Sequence, residues 1–191
     1  MSDPPPVPTR LSLLAEEASG CTLCGLAAGR TQVVFADGSP DADLMFVGEG
    51  PGAEEDRQGL PFVGRSGKLL GRLLMEEVGI QRSDCYIANV VKCRPPGNRD
   101  PKPDEIAACR PYLEEQVDLV DPVVIVTLGN FASKLLLDTD TGITKLRGRA
   151  YGYGDRSLVP TFHPAAALRG GADVLARMRA DLARAKMLMA R

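Results

Sequence analysis

The chain has 191 residues, of which 44% are hydrophobic and 25% charged, as is typical of a single globular domain with a full core. Its net charge of −2 excludes a uniformly basic nucleic-acid-binding protein, so any contact with DNA or RNA must come from a local patch. No stretch approaches the roughly 18 apolar residues of a membrane span, and the start of the chain lacks the layout of a signal peptide. We therefore expect a cytoplasmic monomer with no membrane partner, in which residues 1–9 form a flexible lead and residues 10–191 a single domain.

Strands and helices alternate along the chain. The predicted elements, in order, are a helix over 10–18, a strand over 43–48, a helix capped by Ser66 and ended by Gly79, a strand over 85–91, a helix over 104–120, a strand over 123–128, a helix reaching Leu137, a strand ending at 159–164 and a final helix. Such alternation predicts an α/β fold with a mostly parallel sheet covered on both faces.

A glycine-rich loop, Gly48-Glu49-Gly50-Pro51-Gly52, follows the first apolar strand directly. Ligands in open α/β sheets bind beyond the carboxyl ends of strands, which is where this loop places Glu49. Phe62 lies a little further on, in Gly59-Leu60-Pro61-Phe62-Val63-Gly64. A carboxylate, a flat ring and a pliable backbone indicate a pocket for a small planar ligand. A turn with a solvated acid and a core phenylalanine is the alternative.

Two further polar residues are predicted at the same edge of the sheet. Asn89 interrupts the apolar run 86–91, and a buried amide needs hydrogen-bond partners from the protein or from a ligand. His163 is the only histidine and stands just before Pro164, which favours an extended backbone at the end of the last strand. A purely structural role is the alternative for each of them.

The chain has five cysteines, and in a reducing compartment they are not expected to form disulfides. Cys21 and Cys24 form a C-x-x-C, Cys93 precedes a rigid loop and Cys109 falls within a predicted helix. These four thiols indicate a metal or iron–sulfur site, with zinc, a redox-active pair and unligated buried thiols as alternatives. We interpret Cys85 as a small core residue.

Basic residues lie near the predicted ends of the strands as well. Lys145, Arg147 and Arg149 lie close together in sequence, and Arg169 follows the His163 loop. Each alone is typical of a solvated surface, but around one cleft they would suit contacts with phosphates.

Together these segments resemble family 4, the iron–sulfur branch, of the uracil-DNA glycosylase superfamily. The matching segments are residues 48–52, 59–64, 89–96 and 163–165, with the cysteine set, and the resemblance runs from about Cys21 to Arg169. It implies a three-layer α/β/α sandwich with a central four-stranded parallel sheet. It also implies a [4Fe–4S] cluster on Cys21, Cys24, Cys93 and Cys109.

The activity implied by this resemblance is hydrolysis of the N-glycosidic bond of uracil in single- or double-stranded DNA, which starts base-excision repair. The resemblance assigns Glu49 and His163 to catalysis and places both in the uracil pocket with Gly50, Phe62 and Asn89. For DNA binding it points to Leu168, the predicted wedge, and to the basic residues Lys145, Arg147, Arg149 and Arg169. Two alternatives are a relative that traps uracil-DNA covalently and a non-catalytic iron–sulfur DNA-binding protein.

Overall fold

A computed structural model describes residues 7–190 of the chain. The elements of that part are α1 (Val7–Ser19), β1 (Asp37–Gly38), β2 (Leu44–Gly48), α2 (Ala53–Gln58), α3 (Arg65–Leu73), β3 (Tyr86–Asn89), α4 (Pro103–Val120), β4 (Val124–Leu128), α5 (Asn130–Leu137), α6 (Ile143–Leu146), β5 (Tyr151–Tyr153), β6 (Arg156–Thr161) and α7 (Pro164–Met189). Short 3₁₀ turns lie at Gly25–Ala28, Arg82–Asp84 and Pro96–Asn98, and a π-helical turn, Leu74–Val78, extends α3. Of the predicted lead over residues 1–9, the first six residues lie outside the described part and the last three belong to α1.

The sheet has the strand order β1-β3-β2-β4-β6-β5. Its four central strands, β3, β2, β4 and β6, pair in parallel, which confirms the predicted four-stranded parallel core. Two short antiparallel strands that were not predicted, β1 beside β3 and β5 beside β6, extend the sheet at its edges. Every residue of β2, β3 and β4 is buried, which explains why these strands read as continuous apolar runs.

Two hydrophobic layers cover the sheet and make it a three-layer sandwich. In β2, Met45 and Val47 pack into one layer together with residues of α4 and α5, whereas Leu44 and Phe46 pack into the other with α3 and α7. This strict alternation follows from the two-residue period of a strand. None of the helices in residues 7–190 combines the length and apolarity needed to cross a membrane.

The register brings the predicted site loops together. Gly48 pairs with Asn89 between β2 and β3, and Leu128 pairs with Thr161 between β4 and β6. The carboxyl ends of all four parallel strands therefore meet at one edge of the sheet. The glycine-rich loop, Asn89 and His163 all project from that edge.

Candidate active site

A cleft of about 700 Å³ opens at the carboxyl edge of the parallel strands. All the residues predicted for the small-ligand pocket line it, namely Glu49, Gly50, Phe62, Asn89 and His163. Arg169 lines the same cleft, whereas Lys145, Arg147, Arg149 and Leu168 are not among its lining residues.

Gly48 allows Asn89 and Phe62 to approach each other below the cleft. A Cβ atom at Gly48 would lie 2.4 Å from Asn89 Oδ1 and 2.5 Å from Phe62 Cζ, so any larger residue would displace both side chains. Asn89 is 1% exposed, and its Oδ1 has no hydrogen-bond partner among the described residues. A buried acceptor without a partner indicates a ligand that supplies an N–H donor.

Lys92 supports Asn89 from the side of α4. Its Nζ donates to the Asn89 carbonyl oxygen at 2.8 Å and also to Gln116 Oε1. Burial lowers the pKa of Lys92 to about 7. Lys92 was not predicted as a site residue, because a lysine beside a predicted strand is normally solvated.

His163 presents one defined nitrogen to a ligand. Its Nδ1 accepts a hydrogen bond from the Ala165 backbone N–H at 3.1 Å. Burial, reinforced by the positive charge of Arg169, lowers the pKa of His163 to about 4. The ring is therefore neutral at physiological pH, and because Nδ1 is an acceptor, Nε2 must carry the proton and act as a donor.

Phe62 and His163 lie side by side in the cleft. Their ring centroids are 5.6 Å apart and the rings are tilted by 32°. A planar ligand can thus meet a ring face and a hydrogen-bond donor at once.

Glu49 places a carboxyl group at the tip of β2. Burial, with a smaller contribution from the negative charge of Asp100, which also lines the cleft, raises its pKa to about 6. Glu49 is still mainly ionised at pH 7 and can then orient a water molecule or stabilise a developing positive charge.

Glu55 is a site residue that sequence analysis missed. Its carboxylate accepts the backbone N–H groups of Gly52, Val63 and Gly64, at 3.2, 3.0 and 2.9 Å. A signal was available, since a glutamate three residues after the N-cap Gly52 fits a capping box.

The basic residues separate into two groups. Arg147 is turned inward, where its Nε and Nη2 donate to the carboxylate of the buried Asp181, each at 2.8 Å. Its guanidinium is therefore paired within the protein, whereas the sequence predicted that it would be available to phosphates. Lys145, Arg149 and Arg169 are exposed, and Leu168 is 44% exposed at the start of α7.

The cysteines of the predicted cluster come from three segments. Cys93 and Cys109 are buried, and Cys21 and Cys24 are partly buried. Burial raises the pKa of the Cys93 thiol to about 11, against the opposing effect of the hydrogen bond and positive charge of Arg30. Within residues 7–190, no three His, Cys, Asp or Glu side chains are arranged as ligands of a single metal ion. Cys85 packs in the opposite hydrophobic layer, as predicted for a core residue.

Hydrogen bonds reach two of these sulfurs. Arg30 donates to the Cys21 carbonyl oxygen at 2.7 Å and to Cys93 Sγ at 3.5 Å. The Lys92 backbone N–H lies 3.5 Å from Cys109 Sγ. These donors connect the C-x-x-C segment to the segments that carry Cys93 and Cys109.

Comparison with known proteins agrees with this geometry. The model of the Uracil DNA glycosylase superfamily matches residues 35–184. A type-4 uracil-DNA glycosylase of Thermotoga maritima is 47% identical over 170 residues, which cover 88% of each chain. The one of Sulfurisphaera tokodaii is 47% identical over 83% of this chain and 76% of its own, and that of Archaeoglobus fulgidus 42% identical over 81% of both. The cleft, the fold and these relatives together establish that the chain belongs to the uracil-DNA glycosylase superfamily, among its type-4 members.

Proposed function

We propose that this protein is an enzyme that hydrolyses the N-glycosidic bond of uracil in DNA and thereby starts base-excision repair. The observation that carries the proposal is the unpartnered, buried Asn89 Oδ1 in a cleft that also holds Phe62, His163 and Glu49. Family membership supports the same reaction.

Recognition of the base requires that uracil leave the helix, because its reacting atoms cannot be reached within a duplex. The Phe62 ring can replace part of the lost stacking, which contributes about 1–3 kcal/mol per base. Asn89 Oδ1 can accept the uracil N3–H, and the amide NH₂ can donate to O4. Cytosine presents the opposite donor and acceptor pattern and would leave buried groups unpaired, which is how such pockets discriminate strongly.

Bond cleavage leaves negative charge on uracil and positive character on the sugar. The Nε2–H of His163 can donate to uracil O2 as that charge develops. With a pKa of about 4, His163 acts as a neutral hydrogen-bond donor rather than as a source of a full proton. The Glu49 carboxylate can direct water to the anomeric carbon and stabilise the cationic sugar.

We further propose that Cys21, Cys24, Cys93 and Cys109 hold a [4Fe–4S] cluster. Four thiols without a neighbouring histidine suit iron–sulfur ligation. Cys21, Cys24, Cys93 and Cys109 would each supply one thiolate to the cluster, and such a cluster would not require three of them to converge on a single metal ion. The N–H groups of Arg30 and Lys92 at Cys93 and Cys109 are of the kind that support cluster thiolates. The cluster would hold the loops beside the cleft.

Uracil-containing DNA is the proposed partner of the exposed surface around the cleft. Arg169 lies at the cleft itself, and Lys145 and Arg149 offer further positive charge for phosphates. Leu168, exposed beside Arg169, is the proposed wedge that fills the space left by the flipped base.

An incision assay tests the reaction. End-labelled oligonucleotides carrying one uracil, opposite guanine, opposite adenine or single-stranded, are incubated with the purified protein and treated with alkali to break abasic sites. We expect multiple turnovers on uracil and none on matched cytosine. His163→Ala should lower the single-turnover rate by about 100-fold, the effect of one lost oxyanion donor.

The same assay separates the two alternatives. His163 is the only histidine, and residues 142–149 contain none that could attack the sugar, so no protein–DNA adduct should survive a denaturing gel. A stable adduct would identify a trapping protein. Binding without incision would identify a non-catalytic one.

A further inference from the structure

The loop that carries Phe62 has a backbone conformation that its surroundings must enforce. Phe62 has φ = +53°, in the left-handed region, which is strained for a residue other than glycine. Its ring is nevertheless 6% exposed and packed against the position of Gly48. Contacts around the loop therefore determine where the stacking ring lies.

Glu55 holds this loop from the side of the cleft. One carboxylate oxygen accepts the N–H groups of Val63 and Gly64, directly after Phe62, and the other accepts the N–H of Gly52 in the glycine-rich loop. A single side chain thus ties together the two loops that carry Glu49 and Phe62. Hydrogen bonds to an ionised acceptor are about twice as strong as neutral ones.

Arg82 holds the same loop from outside the cleft. Its Nη1 donates to the Phe62 carbonyl oxygen at 2.7 Å, its Nη2 donates to the Pro61 carbonyl oxygen, and its Nε is paired with Asp37 at 2.7 Å. The planar guanidinium suits this arrangement, because its rigid fork presents Nη1 and Nη2 to the two carbonyl oxygens while Nε faces the carboxylate. Gly67 completes the enclosure, since a Cβ there would lie 1.7 Å from the Phe62 carbonyl oxygen.

We propose that Glu55 and Arg82 are positioning residues for base recognition, which fix the Phe62 ring as the stacking surface of the uracil pocket. This inference rests on the proposed function, because it gives the ring its role through uracil. The placement of the ring can be tested without any substrate.

Fluorine NMR reports that placement directly. The chain has five phenylalanines, so protein labelled with fluorophenylalanine gives few resonances, and Phe62→Leu assigns the one from Phe62. We expect Glu55→Gln and Arg82→Lys to shift and broaden the Phe62 resonance and to leave the other four in place. Glu54→Gln is the matched control, because Glu54 is the preceding residue on α2 and its carboxylate accepts hydrogen bonds from Arg57 and Gln58 of the same helix instead of from the Phe62 loop.

Glu55→Gln and Arg82→Lys should both preserve the fold. In Glu55→Gln one amide oxygen still accepts, but the NH₂ group faces a backbone N–H whichever way it turns. Arg82→Lys keeps the charge opposite Asp37 and loses the fork to the two carbonyl oxygens. Thermal melts confirm which variants are folded.

Kinetics then test the link to uracil. Glu55→Gln should lower the single-turnover rate on uracil-DNA and weaken inhibition by free uracil, each about tenfold, as expected for one lost charge-assisted hydrogen bond. Binding of abasic DNA should change less than twofold. In a Phe62→Leu background, Glu55→Gln should have little further effect, because the ring through which it acts is gone.

An unchanged Phe62 resonance in both folded variants would overturn the proposal, and so would additive effects in the Phe62→Leu background. If Glu55→Gln does not fold, the NMR and the kinetic tests are both made with Arg82→Lys. Failure of both variants to fold would show that these residues maintain the fold instead and would equally overturn the proposal. Should the wild type not cleave uracil, the NMR result would still decide the placement of the ring, so the two failures are distinguishable.

Discussion

At the scale of single residues, the cleft combines a glutamate that changes charge near neutral pH with a histidine that stays neutral there. Glu49 has a pKa of about 6 and His163 of about 4. Above pH 5, Glu49 changes charge with pH whereas His163 does not; Lys92 behind Asn89, with a pKa of about 7, is another group of the site that titrates near neutrality. A limb near pH 6 that depends on Asp100, whose charge raises the pKa of Glu49, should therefore belong to Glu49.

We expect the single-turnover rate to fall as the pH drops through about 6, because Glu49 becomes protonated and can no longer direct water. Asp100→Asn removes a like charge, so the pKa of Glu49 should fall and the limb should move to lower pH. Rates measured from pH 4.5 to 9 at constant ionic strength check this. Glu49→Gln should be slow and show no such limb. A limb that stays in place or moves upward in Asp100→Asn would contradict the assignment.

Asn89→Asp tests how the base is read. An ionised carboxylate would repel the developing uracil anion, and a protonated one could pair with a different base edge. We expect uracil cleavage to fall by about 100-fold or more and weak cleavage of cytosine to appear. Asn130→Asp is the control, since Asn130 also lines the cleft but uses its Oδ1 to accept the Ile143 N–H, a role that aspartate keeps. Unchanged uracil kinetics in Asn89→Asp would remove Asn89 from the pocket.

At the scale of elements, α7 is tied to the segment after α6 by the pair of Arg147 and Asp181. Asp181 is 1% exposed and also accepts from the Thr161 hydroxyl and the Gly148 N–H. This network lies at the end of β6, just before His163. Arg147 therefore stabilises the element that delivers His163.

The neighbouring basic residues should behave differently from Arg147. Lys145→Ala with Arg149→Ala should weaken DNA binding and reduce the salt dependence by about one unit of slope per phosphate contact. Arg147→Ala should instead lower stability, by about 3 kcal/mol, because it leaves a buried carboxylate without its cation. Salt titrations of DNA binding and denaturant unfolding of both variants check this. If Arg147→Ala has normal stability and its DNA binding depends less steeply on salt, Arg147 contacts DNA instead.

The helices and strands that are long enough to show a clear hydrophobic pattern were predictable. The parallel strands β2, β3 and β4 are buried throughout and produce apolar runs. The helix starts were less clear, since the predicted cap Ser66 lies inside α3, whose N-cap is Gly64. The edge strands β1 and β5 have two and three residues, too few for a pattern to emerge. The turn of the β5–β6 hairpin, at Gly154 and Asp155, did carry a signal, since a positive φ at Gly154 is what such turns require.

The site residues that could be predicted are those that lie at the ends of strands. Asn89 ends β3, and Glu49 and His163 follow β2 and β6, strands whose ends the register aligns. The contacts of Arg82 and Arg147 could not be predicted, because each depends on a partner that is distant in sequence and on the direction in which a long side chain turns. For Glu55 the capping-box contact with Gly52 had a sequence signal, whereas its contacts with Val63 and Gly64 did not.

At the scale of the whole molecule, the proposed cluster would connect three parts of the chain. Cys21 and Cys24 follow α1, Cys93 follows β3 and Cys109 lies in α4. α1 already packs on α4 through Leu14, Ala18 and Tyr112. A cluster at their end would secure this layer and the loop after Cys93, which leads to the Asp100 side of the cleft.

Cysteine substitutions separate a cluster from buried free thiols. Cys109→Ser should lose bound iron and the brown colour, and its melting temperature should fall, because metal binding contributes directly to folding. Cys85→Ser is the matched control, as Cys85 is equally buried but lies in the opposite hydrophobic layer, so it should keep its iron. Iron and zinc are measured in protein purified without oxygen. Stoichiometric zinc without iron, or equal iron in both variants, would contradict the [4Fe–4S] proposal while leaving the glycosylase reaction to be judged by incision alone.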